Sequence, residues 1–287
     1  MFTNMNEMLL KAKKEKYAVP QFNINNLEWT KYILEEAQSL NIPVILGVSE
    51  GAARYMGGFF VVSSIVQSLM RDLNITIPVA LHLDHGTSFE SCFKAIDSGF
   101  TSVMIDASKY KIEENVAITK EVVDYAHQHN VSVEAEVGHI GGEEDGIKAE
   151  ALNASIEDCI KIYAESNIDA LAPAVGSVHG FYHGEPNLDF NLMKEINEQL
   201  PIPLVLHGGS GIPDYQIKEA IISGISKINV NTDLQVVWAS AVREYLSDNK
   251  DAYDPRKIIT AGEAALKMKV REIVSVFGTQ NQQIEII

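Results

Sequence analysis

Short apolar runs alternate with amphipathic stretches along almost the whole chain. Val19-Pro-Gln-Phe-Asn23 reads as a strand, and Asn26 to Leu40 as a helix with Ile33, Ala37 and Leu40 on one face. Pro43 to Ser49 is the next strand, and helical patterning follows around Val61 to Arg71. The apolar run Ile75 to Ala80 then leads into a third strand closed by Leu81-His82-Leu83-Asp84-His85-Gly86. Ser102 to Ser108, Ser132 to Gly138, Ala170 to Val175, Pro203 to His207 and Lys227 to Thr232 continue the series, separated by helical patterns such as Glu114 to Gln128. Such an alternation of strand and helix predicts an α/β fold built from parallel βα units.

The strands are near-continuous apolar runs, as expected where both faces of a sheet are covered. Their unusual polar residues are expected at one end of each, the carboxyl end, where a closed (β/α)8 TIM barrel places its active site. The expectation is a single barrel domain over residues 1–287. Gly141-Gly142-Glu143-Glu144-Asp145-Gly146 is too glycine-rich and acidic for a helix and reads as a mobile loop over that face.

The third strand carries the densest chemistry. Packing alone does not call for His82, Asp84 and His85 together, although His82 also reads as a satisfied core histidine and Asp84 as a solvated helix cap. Two further histidines follow strand ends, His179 in Gly176-Ser-Val-His-Gly180 and His207 in His-Gly-Gly-Ser210. Three neutral imidazoles with an open fourth position make a catalytic zinc arrangement, and a barrel mouth gathers ligands from distant sequence. His127 and His129 fall at a helix end and read as solvated, while His139 sits beside the glycine-rich segment. Gly180, Gly208-Gly209-Ser210 and Asn229-Val230-Asn231-Thr232 would offer backbone N–H groups and short hydroxyls where such barrels cradle a phosphate.

The formal net charge of −16 argues against a nucleic acid or anionic membrane partner, so a phosphorylated substrate must be held locally. Cys92 and Cys159 form no CxxC arrangement, which gives neither a disulfide framework nor a thiolate zinc site. The first residues lack an apolar leader segment and no stretch is long enough to span a bilayer, so a cytoplasmic protein is expected.

Several motifs together resemble the class II, zinc-dependent fructose-bisphosphate aldolases. They are Asn23, Val44-Ile-Leu-Gly-Val-Ser-Glu-Gly-Ala-Ala-Arg-Tyr-Met-Gly-Gly58, His82-Leu-Asp-His-Gly86, Val103-Met-Ile-Asp-Ala-Ser108, Val133-Glu-Ala-Glu-Val-Gly138, Gly141-Gly-Glu-Glu-Asp145, Leu171-Ala-Pro-Ala-Val-Gly-Ser-Val-His-Gly180, Leu206-His-Gly-Gly-Ser-Gly211 and Tyr253-Asp-Pro-Arg256. The resemblance implies reversible cleavage of fructose 1,6-bisphosphate to dihydroxyacetone phosphate and glyceraldehyde 3-phosphate by a homodimer or homotetramer. It implies that His85, His179 and His207 bind the catalytic zinc, that Asp84 exchanges a proton with the C4 hydroxyl, and that Glu144 moves the C3 proton. Asp106 and Glu136 match a second metal position. Gly180, Gly208, Gly209, Ser210, Asn229, Val230, Asn231 and Thr232 would hold the ketose phosphate, with a monovalent cation, Na⁺ or K⁺, nearby. Ser49 and Arg256 look like contacts at the aldehyde-phosphate end, and Asn23 like a further substrate contact.

One position departs from the pattern. Where many members carry a lysine at the third position beyond the glycine of His179-Gly180, this chain has His183. A charge-assisted bond worth about 1.5–3 kcal/mol would be replaced only in part, so weaker, pH-sensitive phosphate binding is expected.

Other readings stay open on the sequence. Tagatose-bisphosphate aldolase uses the same machinery on the other C4 configuration, although Ser49 to Arg54 resembles the fructose type more closely. A zinc hydrolase on the same barrel would also use three histidines, but often pairs two on the first strand, which has none here. A Schiff-base aldolase needs a lysine near the mouth; Lys227 starts its strand, at the wrong end, which leaves Lys109. A scaffold protein that had lost catalysis would not need Asp84 and Glu144 together.

Overall fold

In the computed structural model, residues 1–144, 147–149, 152–182 and 184–281 are described, with 143, 144, 147–149 and 281 described by backbone alone. The elements in chain order are α1 (Asn6–Glu15), β1 (Val19–Asn23), α2 (Leu27–Leu40), β2 (Val44–Ser49), α3 (Glu50–Met56), α4 (Phe59–Asp72), β3 (Val79–Gly86), α5 (Phe89–Asp97), β4 (Ser102–Ile105), α6 (Ile112–Gln128), β5 (Ser132–Val137), β6 (Gly141–Glu144), β7 (Ile147–Ala149), α7 (Ile156–Ser166), β8 (Ala170–Pro173), β9 (Val178–His179), α8 (Phe190–Gln199), β10 (Leu204–Leu206), α9 (Asp214–Ile222), β11 (Ile225–Val230), α10 (Thr232–Asp248), α11 (Pro255–Thr260) and α12 (Glu263–Phe277).

Helix boundaries follow local chemistry. Asn26 caps α2 by accepting from the Trp29 amide, and Asn41 ends it in a left-handed conformation that returns its N–H to the last turn. Ser49 and Ser88 cap α3 and α5 in the same way as Asn26. Eight strands close into a parallel barrel in the ring order β1-β11-β10-β8-β5-β4-β3-β2, the (β/α)8 architecture expected from the alternation.

Side chains alternate across a strand, so positions two apart share a face. The inner face is layered along the barrel axis. At the amino-terminal end Val19, Ile45, Ala80, Ala170 and Val205 pack against Met5, just before α1, and Met8, Leu9 and Ala12 of α1, which plugs that mouth. The next inward residues are Gln21, His82, Glu134 and Lys227, all fully buried. The layer at the carboxyl end holds Asn23, Ser49, Asp84, Glu136 and Asn229. Outside, Phe22, Leu46, Leu83, Val103 and Ile228 pack into the main apolar core beneath the helices.

Two expectations are corrected by this arrangement. Polar residues are not confined to the strand ends, because the middle layer of the barrel is itself polar. The eighth barrel strand begins at Ile225, so Lys227 lies inside the strand and not at its start. The glycine-rich segment is also more regular than expected. Gly141–Glu144 pairs antiparallel with Ile147–Ala149 and parallel with Val178–His179. Gly142 permits this at φ 102°, where a Cβ would lie 2.2 Å from the His179 carbonyl oxygen. Asp145 and Gly146 lie outside the described residues.

Candidate active site

The residue after Asp84 breaks the regularity of β3. His85 has φ 50°, at a register shift between β3 and β4, an uncommon conformation for a residue with a Cβ. That turn carries its ring to the barrel mouth, where His179 on β9 and His207 just beyond β10 meet it. Ring centroids lie 5.0 Å (His85 to His179), 4.7 Å (His85 to His207) and 5.8 Å (His179 to His207) apart. One nitrogen from each lies within 4.8 Å of the others.

The outer nitrogens of two of these rings meet carboxylates. His85 Nδ1 lies 2.9 Å from Asp106 Oδ2, and His207 Nε2 lies 2.8 Å from Glu134 Oε1. A carboxylate only accepts, so each of those nitrogens carries the proton and the opposite nitrogen keeps its lone pair. His85 Nε2 and His207 Nδ1 then face each other across 2.9 Å. Two lone pairs at that distance suit a cation between them, and carboxylate-oriented imidazoles are the usual surroundings of a bound zinc. Burial holds His179 and His207 well below the ordinary imidazole pKa, reinforced by the neighbouring His85, which keeps them neutral as metal ligands must be.

A second group shares His85. Asp106 and Glu136 bring carboxylate oxygens to within 4.8 Å of its ring nitrogen. Glu136 Oε2 is buried without a hydrogen-bond partner among the described residues, 3.9 Å from His85 Nδ1. Burial and the adjacent Asp106 push the Glu136 carboxyl well above its ordinary value. Asp106 goes the other way: burial would raise it, but bonds from His85 and Ser108 hold it well below the carboxylate range. The donor sets therefore fit a divalent cation at the three histidines and a second cation beside Asp106.

Asp84 is fully buried and held by amides on both oxygens. Gln21 Nε2 and Asn23 Nδ2 donate to Oδ2 at 2.9 and 3.1 Å, and Asn229 Nδ2 donates to Oδ1 at 3.3 Å. Burial opposes its ionisation, yet the neighbouring His85, with His207 and Lys227 beside it, lowers its pKa.

Two cavities meet over this constellation at Ser49 and His179. One, of about 250 Å³, is lined by Asn23, Asp84, Gly180, Gly208, Ser210, Asn229, Asn231 and Thr232. Ser210 Oγ accepts from the Asn231 and Asp233 amides at the start of the 17-residue α10, so a helix N-terminus opens there. Of the expected phosphate residues, Gly209 and Val230 do not line it; the Gly209 amide donates to the Asn229 carbonyl, and Val230 packs in the core. The second cavity, about 340 Å³, takes in Arg54, His85, Asp106, Lys109, Glu136 and His139.

Arg256 lines neither cavity. It stands at the start of α11, 89% exposed, with Nη2 bonded to Asp254 Oδ2 at 2.8 Å. The single chain does not bring it to the site. The side chain of Glu144 and all of His183 lie outside the described residues. His82 proves to be a buried core residue with Nδ1 2.8 Å from Ser102 Oγ, and His127 pairs with Asp169. Sequence reasoning missed Gln21, the role of Glu134 and the placement of Lys227. The signal for the first two was their two-residue spacing from Asn23 and Glu136.

Comparison with known proteins agrees with this geometry. Residues 3–282 match the family described as Fructose-bisphosphate aldolase class-II. The fructose-bisphosphate aldolase of Staphylococcus aureus strain Mu50 is 56% identical over 280 residues, covering 97% of this chain and 98% of that protein. That of Geobacillus stearothermophilus is also 56% identical over 280 residues, covering the same 97% and 98%. Among solved structures, the YdjI aldolase of Escherichia coli K12 superposes with a TM-score of 0.84 at 31% identity, covering 98% of each chain. The fructose-bisphosphate aldolase of Campylobacter jejuni gives 0.86 at 25% identity, covering 98% and 97%. A matching family signature over nearly the whole length, joined to a barrel mouth that gathers three imidazoles, means that the chain belongs to the class II fructose-bisphosphate aldolases, metal-dependent lyases.

Proposed function

We propose that this chain cleaves fructose 1,6-bisphosphate reversibly to dihydroxyacetone phosphate and glyceraldehyde 3-phosphate, with zinc held by His85, His179 and His207. The observation that carries the reading is the facing pair of lone-pair nitrogens on His85 and His207, each ring pinned from behind by a carboxylate. Zinc supplies a Lewis acid for the negative charge that develops on the ketose oxygens as C3–C4 breaks.

The remaining work falls to side chains. Asp84, held ionised by three amides, takes the C4 hydroxyl proton as the aldehyde forms and returns it in condensation. Glu144 delivers the C3 proton to the ketose fragment; its strand pairs beside His179 through Gly142, which supports a position over the mouth. The ketose phosphate fits the first cavity, where Gly180, Gly208, Ser210, Asn231 and Thr232 surround the α10 N-terminus. A monovalent cation beside that phosphate, Na⁺ or K⁺, and a second divalent ion at Asp106 and Glu136 belong to the same reading. The buried, unpartnered Glu136 Oε2 supports the latter. The aldehyde-phosphate half fits the second cavity past Ser49, whose lining includes the cations Arg54 and Lys109. His183 would complete the ketose-phosphate contacts.

Assembly into two or four copies is supported by Leu27, Phe60 and Val61, large apolar side chains exposed along one shallow groove. Rates on fructose and tagatose 1,6-bisphosphates, measured alongside bound zinc, test the function. The reading predicts faster cleavage of the fructose ester by protein carrying zinc; no cleavage of either ester would refute it.

A further inference from the structure

Glu134 and Lys227 form an ion pair at 2.8 Å, both side chains 0% exposed, one layer below the barrel mouth. Desolvating two charges is costly, and apolar residues of similar volume often serve stability as well or better. The layer beneath is apolar and well packed, so the fold has a ready alternative to this pair. What the pair touches gives it another purpose.

Each partner has one remaining bond, and each bond admits a single orientation. Glu134 Oε1 lies 2.8 Å from His207 Nε2. An ionised carboxylate cannot donate, so the His207 proton stays on Nε2 and Nδ1 keeps its lone pair towards the other histidines. Lys227 Nζ donates to Asn229 Oδ1 at 2.9 Å. An ammonium cannot accept, so the Asn229 amide cannot turn over, and its NH₂ group must point up at Asp84 Oδ1, 3.3 Å away. Lys227 also neutralises the carboxylate that would otherwise sit uncompensated beneath the metal position.

We propose that the Glu134–Lys227 pair is a positioning device, which sets the His207 tautomer for the metal and the Asn229 amide for Asp84, and is not needed to hold the barrel together. This rests on the zinc reading above, but its test separates the two. Three variants discriminate: Glu134→Gln/Lys227→Met, which keeps an acceptor oxygen for His207; Glu134→Leu/Lys227→Met, which does not; and Lys227→Met alone. Zinc affinity is read by competition with a chelator, stability by thermal midpoint of the metal-stripped protein, and the tautomer by the ¹⁵N shifts of His207 in that protein.

The Leu/Met variant is expected to keep the parent's midpoint, to bind zinc roughly 10- to 100-fold more weakly, and to show His207 as a tautomer mixture. The Gln/Met variant is expected to retain most of the zinc affinity, because the glutamine amide is free to turn its oxygen to the Nε2–H of His207. Lys227→Met alone is expected to lower kcat with KM unchanged, because Asn229 is then able to turn. Parent-like zinc affinity and a single tautomer in the Leu/Met variant would overturn the proposal. So would equal zinc loss in both double variants, which would assign the effect to charge or packing. If the parent itself binds no zinc, the zinc reading fails, while the ¹⁵N shifts still report on the positioning claim.

Discussion

Gln21 donates to Asp84 Oδ2 at 2.9 Å through space that exists because residue 47 on the neighbouring strand is glycine. A Cβ at position 47 would lie 2.5 Å from Gln21 Nε2 and 2.8 Å from its Cδ. The amide and the missing side chain act as one unit that holds the proposed proton-transfer carboxylate. Gln21→Leu should therefore lower kcat by roughly 10- to 100-fold, matching loss of a hydrogen bond to a charged group worth about 1.5–3 kcal/mol. Gly47→Ala should do comparable harm on its own and little more when added to Gln21→Ala. Steady-state kinetics on the single and double variants checks this, and additive losses would show the two positions to be independent.

Metal binding and proton transfer should separate by residue. His207→Ala is expected to lose zinc, whereas Asp84→Asn and Glu144→Ala should keep it and fall in kcat by roughly 10²–10⁴. Metal analysis of each purified variant beside its turnover number checks the division. Equal zinc loss in all of them would contradict it.

The metal-stripped protein should weaken in mild acid. His82, His179 and His207 are held well below the ordinary imidazole pKa, first by burial and then by neighbouring positive groups. The unfolded chain takes up protons at these rings near pH 6.5 (about the free value) while the folded chain does not, so stability falls as pH drops below that value. Glu136 opposes this, because its raised pKa lets the folded state keep a proton that the unfolded chain gives up. Three rings against one carboxyl set the net sign. Urea midpoints with chelator present should be lower at about pH 5.5 than at about pH 7.5, on either side of the imidazole value; a flat profile would show that the rings protonate in place.

Both thiols should be inert in the folded protein. Cys92 and Cys159 are buried, and burial pushes the Cys159 thiol up to about 12 and Cys92 higher still. A thiol reagent at pH 8 (about the pKa of a free cysteine) should modify neither until denaturant is added. Rapid labelling of native protein would show that the helices α5 and α7 open readily.

The fold was legible where chemistry is local. The first strand ends at Asn23 in both readings, because the cap at Asn26 begins a helix immediately afterwards. Asp84 and His85 stood out because charged groups at the end of an apolar run have no packing role. Partners brought together only by barrel closure were not legible. Glu134 and Lys227 are 93 residues apart, and a lysine next to an isoleucine-rich strand reads as a start residue until the register places it inside. The strand at Gly141–Glu144 depends on a backbone ladder to His179, which no local pattern announces. Arg256 carried a family signature, but it stands at the exposed start of α11, a helix that buries none of its residues, and one chain alone leaves it outside both cavities.

A divalent ion held by His85, His179 and His207 is proposed to drive cleavage of the sugar bisphosphate. The most direct test is a single titration: strip the protein with a chelator, assay cleavage of fructose 1,6-bisphosphate, then add zinc back in sub-stoichiometric steps. Activity should vanish on stripping and return in proportion to zinc bound at the three histidines. Full turnover by metal-free protein, or restoration by zinc in a variant lacking His207, would contradict the account.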